Sequence, residues 1–189
     1  MKLTLPETVR SASIVLRRRR SSDIPELLAA IEVSIEELSA FLRWAAAGVP
    51  PRTEFERAVA ESERDFDAGT GFEYVVRDAA TGEVLGEAGG EVSTDGVVEL
   101  GYWVRSDRTG RGHATSAASA LTSLVFDACG DVETVEIRMD KGNVRSRAIA
   151  IRLGYVHVGD ERFDGDRLSG QTGEGHIYSM TRSQWESAR

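Results

Sequence analysis

One run of the sequence, residues 99–115, constrains the fold more than any other: E-L-G-Y-W-V-R-S-D-R-T-G-R-G-H-A-T. It predicts a β-strand that ends in an Arg/Gly-rich turn, followed directly by the start of a helix. The first N–H groups of a helix have no intrahelical acceptor, and the helix dipole places a partial positive charge at the same end. The run therefore predicts an anion-binding site of a kind that suits a pyrophosphate.

Apolar residues at helical spacing predict helices on both sides of this run. Asp23 opens the first, which is either one helix to about Arg43 or two shorter helices with a break near Val33. A capping box at residues 53–56 opens the second helix. A third helix follows the Arg/Gly turn, and a fourth begins with Asn143 as its cap.

Seven segments show the composition or alternation that is typical of strands. They lie at residues 13–18, 72–77, 84–92, 97–104, 135–139, 155–158 and 176–180. The turn pairs Thr81-Gly82 and Asp95-Gly96 predict an antiparallel meander. Residues 1–12 are expected to be frayed or an edge extension, and residues 160–173 to form a loop. The order of elements predicts a mixed α+β fold.

The size and charge of the chain restrict its class. With 189 residues it is expected to form one domain over residues 1–189, and its net charge of -8 argues against direct binding of nucleic acid. No stretch approaches the roughly 20 apolar residues of a membrane span, and the N-terminus lacks the apolar core of a signal peptide. We therefore expect a cytoplasmic protein without membrane contact.

Cysteine and histidine offer little chemistry in this sequence. Cys129 is the only cysteine, which excludes an intrachain disulfide and a cysteine metal cluster. His113 lies in the Arg/Gly turn, where we expect its backbone to matter and its ring to face solvent. His157 and His176 lie on late strands and are expected to be structural. Because no His/Asp/Glu group has the spacing of metal ligands, no metal is predicted.

Two common nucleotide-binding patterns do not fit the Arg/Gly turn. The P-loop pattern requires a lysine after its glycines, and none follows here. The dinucleotide pattern G-x-G-x-x-G fails because Gly110-Arg-Gly112 is followed by Thr115 where the last glycine belongs. The meander before the turn also does not match a βαβ unit.

Several short segments together carry a resemblance to a known family. They are I-V-L-R at residues 14–17, S-I-E-E-L at 34–38, E-L-G-Y-W-V at 99–104, R-T-G-R-G-H-A-T at 108–115, N-V-R-S at 143–146, R-L-G-Y at 152–155 and Y-S-M-T-R-S-Q-W at 178–185. In this order they resemble the GNAT acetyltransferase superfamily, and within it the RimJ/RimL-type protein N-acetyltransferases. The resemblance covers most of the chain.

The resemblance implies a GNAT-like fold. This is a central, mixed but largely antiparallel sheet of about seven strands, flanked by helices and splayed between its two central strands. The splayed strands match residues 99–104 and 135–139, and a bulge is expected near Trp103 and Val104. The pantetheine arm of acetyl-CoA, the implied cosubstrate, would insert between the two strands.

The resemblance also implies which residues contact acetyl-CoA. Backbone amides from Thr109 to Ala114 would hold its pyrophosphate, and Gly112 would permit close approach. Thr109 occupies a slot that is Gln or Arg in the usual pattern, so one side-chain contact is lost while the amides remain. Trp103 is either a contact to cofactor or substrate, or a plain core residue. The expected cofactor contacts are Trp103, Val104, Arg105, Thr109, Gly110, Arg111, Gly112, His113, Ala114, Thr115, Asn143 and Ser146.

Two catalytic roles follow from the chemistry of acetyl transfer to an amine. The amine attacks only when it is neutral, so a base must remove its proton. Glu99, at the start of the splayed strand, is the first candidate, directly or through water. Glu161, Asp164 and Asp166 are alternatives in the late loop. In the RimJ/RimL pattern the serine of N-x-x-S donates a proton or hydrogen bond to the leaving thiolate, and the resemblance implies this role for Ser146.

These inferences predict an acetyl-CoA-dependent N-acetyltransferase in which the acceptor attacks directly in a ternary complex. The acceptor is a primary amine, either a protein N-terminus or a small molecule. A non-catalytic acyl-CoA-binding or interaction protein on the same fold is the alternative. The chain is expected to be a monomer or a homodimer.

Overall fold

The structure, a computed structural model, describes residues 2–93, 96–163 and 165–189 of the chain. Its strands are β1 Thr8–Arg10, β2 Ile14–Arg18, β3 Gly71–Asp78, β4 Val84–Val92, β5 Val98–Val104, β6 Thr134–Asp140, β7 Val156–Arg162 and β8 Glu174–Thr181. Its α-helices are α1 Ile24–Ser39, α2 Arg52–Ala68, α3 His113–Ala128, α4 Val144–Arg152 and α5 Arg182–Ser187. Within the described residues, no helix combines the length and apolar character needed to cross a membrane.

All eight strands belong to one sheet, in the order β1-β2-β3-β4-β5-β6-β8-β7. Every neighbouring pair is antiparallel except β5 and β6, which run parallel. The mixed α+β class and the largely antiparallel sheet are therefore confirmed. Among the described residues the sheet has eight strands rather than about seven, because residues 8–10 pair with β2 at its edge.

The two central strands separate soon after they meet. β5 and β6 are in register only at Val98–Val135 and Glu99–Glu136, although β5 continues to Val104 and β6 to Asp140. Beyond Glu99 the facing backbone groups of the two strands are therefore available to a ligand that binds like an added strand. The predicted splay between the central strands is confirmed.

Helices cover both faces of this sheet. Ile31 of α1 and Val59 of α2 pack in one cluster with Val75 of β3. Leu121 of α3 and Leu100 of β5 belong to a second cluster on the opposite face, which also includes α4. Because side chains alternate along a strand, Glu99, Gly101 and Trp103 share the α1/α2 face of β5.

Some predicted element boundaries were wrong. The capping box at residues 53–56 does not form, because α2 begins at Arg52 with Pro51 as its N-cap. β7 extends to Arg162, so residues 160–162 belong to a strand and not to the predicted loop. The first helix is continuous to Ser39.

The expected bulge near Trp103 and Val104 was also wrong. The pairing of β4 with β5 runs from Gly86–Val104 to Val92–Val98 without a shift of register. The shift lies instead between β3 and β4, opposite Val76 and Arg77. A Cβ at Gly86 would lie 2.1 Å from the backbone oxygen of Trp103, so β4 and β5 approach closely here. Of the predicted turn Asp95-Gly96, Asp95 lies outside the described residues.

Candidate active site

The separation of β5 and β6 creates a cleft of about 270 Å³. Gly101 and Tyr102 of β5 line one side, Met139 of β6 lines the other, and Asn143 and Ser146 close one end. The cleft therefore lies where the sequence predicted the thioester end of a bound pantetheine. It brings together two of the predicted cofactor contacts, Asn143 and Ser146.

A pair of hydroxyl groups lies at this end of the cleft. The Tyr102 hydroxyl and Ser146 Oγ share a hydrogen bond of 3.1 Å. Ser146 is held in place by the start of α4, where its backbone N–H donates to Asn143 Oδ1 at 3.2 Å. The predicted cap at Asn143 is therefore confirmed. Burial raises the pKa of Tyr102 to about 12, against the hydrogen bond with Ser146, so the phenol stays neutral and can donate.

Tyr102 was missed at the sequence level. Another tyrosine, Tyr155, follows the helix that carries Ser146. Tyr155 instead shares a buried hydrogen bond of 2.6 Å with Thr122. The available signal was the alternation along β5, which places Tyr102 on the same face as Leu100 and hence toward α3 and α4.

The Arg/Gly turn leads into α3 with a row of free backbone amides. Gly110 and Gly112 have φ of 76° and 82°, a region that favours glycine. The first helical hydrogen bond runs from Ser116 N–H to the Gly112 carbonyl. Among the described residues, none of the N–H groups from Gly110 to Thr115 has a hydrogen-bond acceptor. These amides and the N-terminus of α3 lie together where the sequence predicts an anion site.

Two arginines beside the turn are occupied by carboxylates. Arg105 donates two hydrogen bonds to Asp107, at 3.0 and 2.9 Å, and one to Glu83 at 3.0 Å. Arg108 donates to the same two carboxylates. The structure thus gives the Arg105 side chain a role in holding the turn, while contact of this residue with a cofactor stays a prediction. Arg111, in contrast, is exposed.

The side chains of Thr109 and His113, which lie at the two ends of the turn, have different surroundings. Thr109 Oγ1 donates to the Ser106 carbonyl at 3.0 Å, so its side chain stabilises the turn. His113 Nδ1 is buried and has no hydrogen-bond partner among the described residues. The expectation that this ring faces solvent was therefore wrong for one of its nitrogens.

A larger cavity of about 570 Å³ lies on the α1/α2 face beside the cleft. Trp103 lines it with Trp44, and the two ring centroids are 6.3 Å apart. Trp103 Nε1 donates to Glu87 Oε2 at 3.3 Å, and the other oxygen of Glu87 accepts from Arg19 at 3.0 Å. The Trp103 side chain therefore lines this cavity and not the cleft, which favours contact with the second substrate over contact with a cofactor.

Glu99 lies at the last paired position before the strands separate. Its carboxylate is 3.4 Å from Arg138 Nε. Burial raises the pKa of Glu99 above its usual value and Arg138 opposes this, while the carboxylates of Glu161, Glu91 and Glu136 add to the increase. A raised pKa makes a carboxylate a better proton acceptor.

The alternative acids share part of these surroundings. The Glu161 carboxylate is 3.3 Å from Arg138 and, like Glu99, it is not among the residues that line the cleft. Asp166 is exposed, and its backbone carbonyl accepts a hydrogen bond from Arg43. Asp164 lies outside the described residues. The choice of base among these four acids stays a prediction, with Glu99 as the first candidate.

Folding brings one group of metal-ligating residue types together that sequence spacing did not indicate. Ligand atoms of His157, Asp160 and His176 lie within 4.8 Å of one another. Both imidazoles are 2.8 Å from the same Asp160 oxygen, and Lys141 Nζ is 2.9 Å from the other. These hydrogen bonds, with that of Lys141 the largest influence, lower the pKa of Asp160. Because a fixed ammonium already neutralises the carboxylate, a metal cation is disfavoured here.

Comparison with known proteins decides the family. The sequence pattern of the acetyltransferase (GNAT) domain matches residues 13–156. The chain belongs to the acetyltransferase (GNAT) domain family. The GNAT match begins just before β2 and ends at the start of β7, so it includes the splayed strands, the Arg/Gly turn and the N-x-x-S helix.

Individual GNAT relatives support the fold. The Bacillus subtilis (strain 168) protein named "Putative ribosomal N-acetyltransferase YdaF" is 31% identical over 91 residues, which are 48% of this chain. The chain spans about half of the length of that relative, 49%. RimL, a ribosomal L7/L12 α-N-protein acetyltransferase solved with coenzyme A, superposes with a TM-score of 0.83 at 20% identity over 94% of this chain and 99% of its own. The microcin C7 self-immunity acetyltransferase MccE, solved with acetyl-CoA and AMP, superposes with a TM-score of 0.82 at 20% sequence identity. This superposition covers 95% of this chain and 98% of MccE.

Proposed function

We propose that this protein is an acetyl-CoA-dependent N-acetyltransferase. The observation that carries the proposal is that β5 lines the cleft in which the Tyr102 and Ser146 hydroxyls are hydrogen-bonded, and leads at its far end into the turn with the free amides at Gly110–Thr115. The amides fit a pyrophosphate and the cleft fits an extended pantetheine arm. The complexes of RimL with coenzyme A and of MccE with acetyl-CoA, on the same fold, support this use of the site.

In the proposed reaction the acceptor nitrogen attacks the carbonyl carbon of the thioester. A C–N bond forms, the C–S bond breaks, and the thiolate leaves. Glu99 accepts the proton of the amine, directly or through water, and Ser146 donates a proton or hydrogen bond to the thiolate. Tyr102 orients the Ser146 hydroxyl through their shared hydrogen bond. No group of the protein is acetylated on this route.

The acceptor proposed is a primary amine, either the α-amine of a protein N-terminus or a small-molecule amine. Acidic side chains line the α1/α2 face next to the cleft, including Glu54, Glu73 and Glu87. This negative charge favours an acceptor that arrives as a cation. The description of RimL as an α-N-protein acetyltransferase supports the first choice, and that of MccE as a self-immunity enzyme supports the second.

We further propose that residues 1–189 form one cytoplasmic catalytic domain that acts as a monomer or homodimer. The single sheet, which contains strands from Thr8 to Thr181, supports one domain.

The competing candidate is a non-catalytic acyl-CoA-binding protein on the same fold. It shares the amide row and therefore the donor site, but it has no use for the Tyr102–Ser146 pair or for Glu99. A thiol-release assay with acetyl-CoA and a broad panel of amines and peptides separates the two. Thiol release that depends on one of the acceptors supports the enzyme. Binding of acetyl-CoA without acceptor-dependent release supports the competitor.

Binding of the donor should stabilise the fold. At 100 times its dissociation constant, acetyl-CoA is expected to add about 2.7 kcal/mol to the free energy of unfolding. For a chain of this size, that corresponds to an increase of roughly 5–10 °C in the midpoint of thermal unfolding. Differential scanning fluorimetry with acetyl-CoA, and with acetate as the control, measures it. An unchanged midpoint at saturating acetyl-CoA would contradict both candidates.

A further inference from the structure

A row of residues crosses the α1/α2 face of the sheet and ends at the cleft. Glu73 of β3 is in register with Gly89 of β4, and Gly89 is in register with Gly101 of β5. Side chains of directly opposed residues project from the same face of a sheet. The two glycines therefore leave the surface between Glu73 and the cleft free of side chains.

The Glu73 side chain lies across this cleared surface. A Cβ added to Gly89 would lie 2.5 Å from Glu73 Oε2, so the carboxylate sits directly over Gly89. A Cβ added to Gly101 would meet no described atom within 4 Å. Because neighbouring strands are about 4.8 Å apart, the carboxylate lies roughly one strand spacing from Gly101 at the edge of the cleft.

The Glu73 carboxylate has no hydrogen-bond donor among the described residues. The nearest cation is Arg19, whose guanidinium donates instead to Glu87 at 3.0 Å, to Ser62 Oγ at 3.0 Å and to the Ala58 carbonyl at 3.4 Å. A partly buried carboxylate without a donor is costly unless it binds something else. Of the acids next to the cleft, Glu73 is thus available to a ligand, whereas Glu87 is already paired.

The surroundings of Glu73 keep its charge sensitive to pH. Burial raises the pKa of Glu73 to about 7; Arg19 acts in the opposite direction, and Glu87 and Glu91 add to the increase. The other charged groups that line the two cavities around it are Glu54, Glu61, Asp65 and Glu99. Above neutral pH the side chain is therefore an anion, and a cation bound beside it favours that form further.

Both cavities on this face lead past Glu73 to Gly101. The larger one, of about 570 Å³, and a second one of about 390 Å³ are both lined by Glu73 and Gly101, and Gly101 also lines the cleft. Trp44 and Trp103 form an apolar, aromatic wall in the larger cavity. The space therefore fits a molecule with a cationic end at Glu73 and an apolar part against the two indole rings.

Building on the proposed acetyl transfer, we infer that Glu73 binds the ammonium group of the acceptor and selects a cationic amine that carries an apolar group. Held over Gly89 and Gly101, the acceptor nitrogen lies between Glu73 and the cleft. Glu99, on the same face and two residues before Gly101, then takes the proton. Glu73 thus determines acceptor specificity, and Glu99 keeps the role of base.

A binding comparison tests this role without turnover. The probes are phenethylamine, which is a cation at neutral pH, and its uncharged analogue 2-phenylethanol. Trp44 and Trp103 line the cavity, so the quenching of tryptophan fluorescence reports on binding. The variants are Glu73→Gln, which keeps the shape of the side chain, and Glu32→Gln as a matched control at an exposed position of α1. Thermal unfolding verifies that both variants are folded.

At about pH 8.5 the protein should bind phenethylamine at least about tenfold more tightly than 2-phenylethanol, as expected for a hydrogen bond between charged groups. Glu73→Gln should reduce this ratio to within about threefold, and Glu32→Gln should leave it unchanged. At about pH 5.5 the unmodified protein should lose most of its preference, because Glu73 is protonated while carboxylates of ordinary pKa remain charged. The pKa of Glu99 is also raised, so the Glu73→Gln comparison at about pH 8.5 separates the contributions of the two acids.

Three results would overturn the inference: equal binding of the two probes by the unmodified protein, a ratio that Glu73→Gln does not change, or equal ratios at the two pH values. The pH comparison needs no variant, so it holds even if Glu73→Gln does not fold. Failure of the proposed function is a separate result, since the absence of acetyl transfer to every amine leaves this binding comparison intact. With an acceptor in hand, Glu73→Gln should raise its KM and change kcat little.

Discussion

Gly112→Val is expected to weaken the binding of coenzyme A by about 10- to 100-fold. Gly112 precedes α3 with φ of 82°, in the left-handed region. A Cβ at this position meets no described atom within 4 Å, so the loss of affinity is expected from backbone strain and not from a steric collision. A non-glycine residue there costs at least 1–2 kcal/mol, and a β-branched residue relieves that strain by rotating the backbone. The rotation would turn neighbouring amides away from the pyrophosphate.

Isothermal titration calorimetry with coenzyme A measures this loss, and Gly130→Val is the matched control. Gly130 follows the other end of α3, is exposed, has no positive φ, and also has open space around it. The control should bind coenzyme A with unchanged affinity. Normal affinity in Gly112→Val would place the pyrophosphate away from the Arg/Gly turn.

Ser146→Ala is expected to lower kcat by about 100-fold, the lower end of the range for general acid catalysis. The hydroxyl lies at the end of the cleft, within 3.1 Å of the Tyr102 hydroxyl, where the leaving thiolate needs a proton or hydrogen bond. The affinity for acetyl-CoA should change little, because the pyrophosphate cradle is separate from α4. Steady-state kinetics with direct measurement of acetyl-CoA binding separate the two effects.

Tyr102→Phe and Ser119→Ala complete this series. If Tyr102 acts through Ser146, Tyr102→Phe should have a smaller effect, about tenfold in kcat, and the double variant should be little worse than Ser146→Ala. Ser119 is exposed on α3, so its replacement should leave kcat unchanged. Equal kcat in Ser146→Ala and the unmodified enzyme would remove Ser146 from the mechanism.

The features that local sequence determines were predicted well. The helix start after the Arg/Gly turn follows from glycine conformation and the alanine-rich stripe of α3, and the cap at Asn143 follows from a short polar side chain at a helix start. The splay of β5 from β6 was anticipated only through the resemblance to the GNAT family. Nothing local in residues 99–104 specifies where a parallel neighbour departs.

The residues that sequence reasoning missed depend on contacts between distant parts of the chain. Tyr102 meets Ser146 across 44 positions of sequence, and Glu73 reaches the cleft only because Gly89 and Gly101 fall in register with it. Register in a sheet is set by the whole hydrophobic pattern and the turns, so a one-residue slip would move each of these side chains to the other face. The same applies to Trp103, because the face of β5 on which its side chain lies determines whether it can contact the cofactor or the acceptor.

In the proposed reaction an acetyl group passes from acetyl-CoA directly to an amine. The most direct measurement is mass spectrometry of the acceptor panel and of the protein after incubation with acetyl-CoA carrying ¹³C in its acetyl group. We expect label in an amide of one class of primary amine, in an amount equal to the thiol released, and an unlabelled protein. Thiol release without a labelled amine, or label bound covalently to the protein before an amine is added, would contradict it.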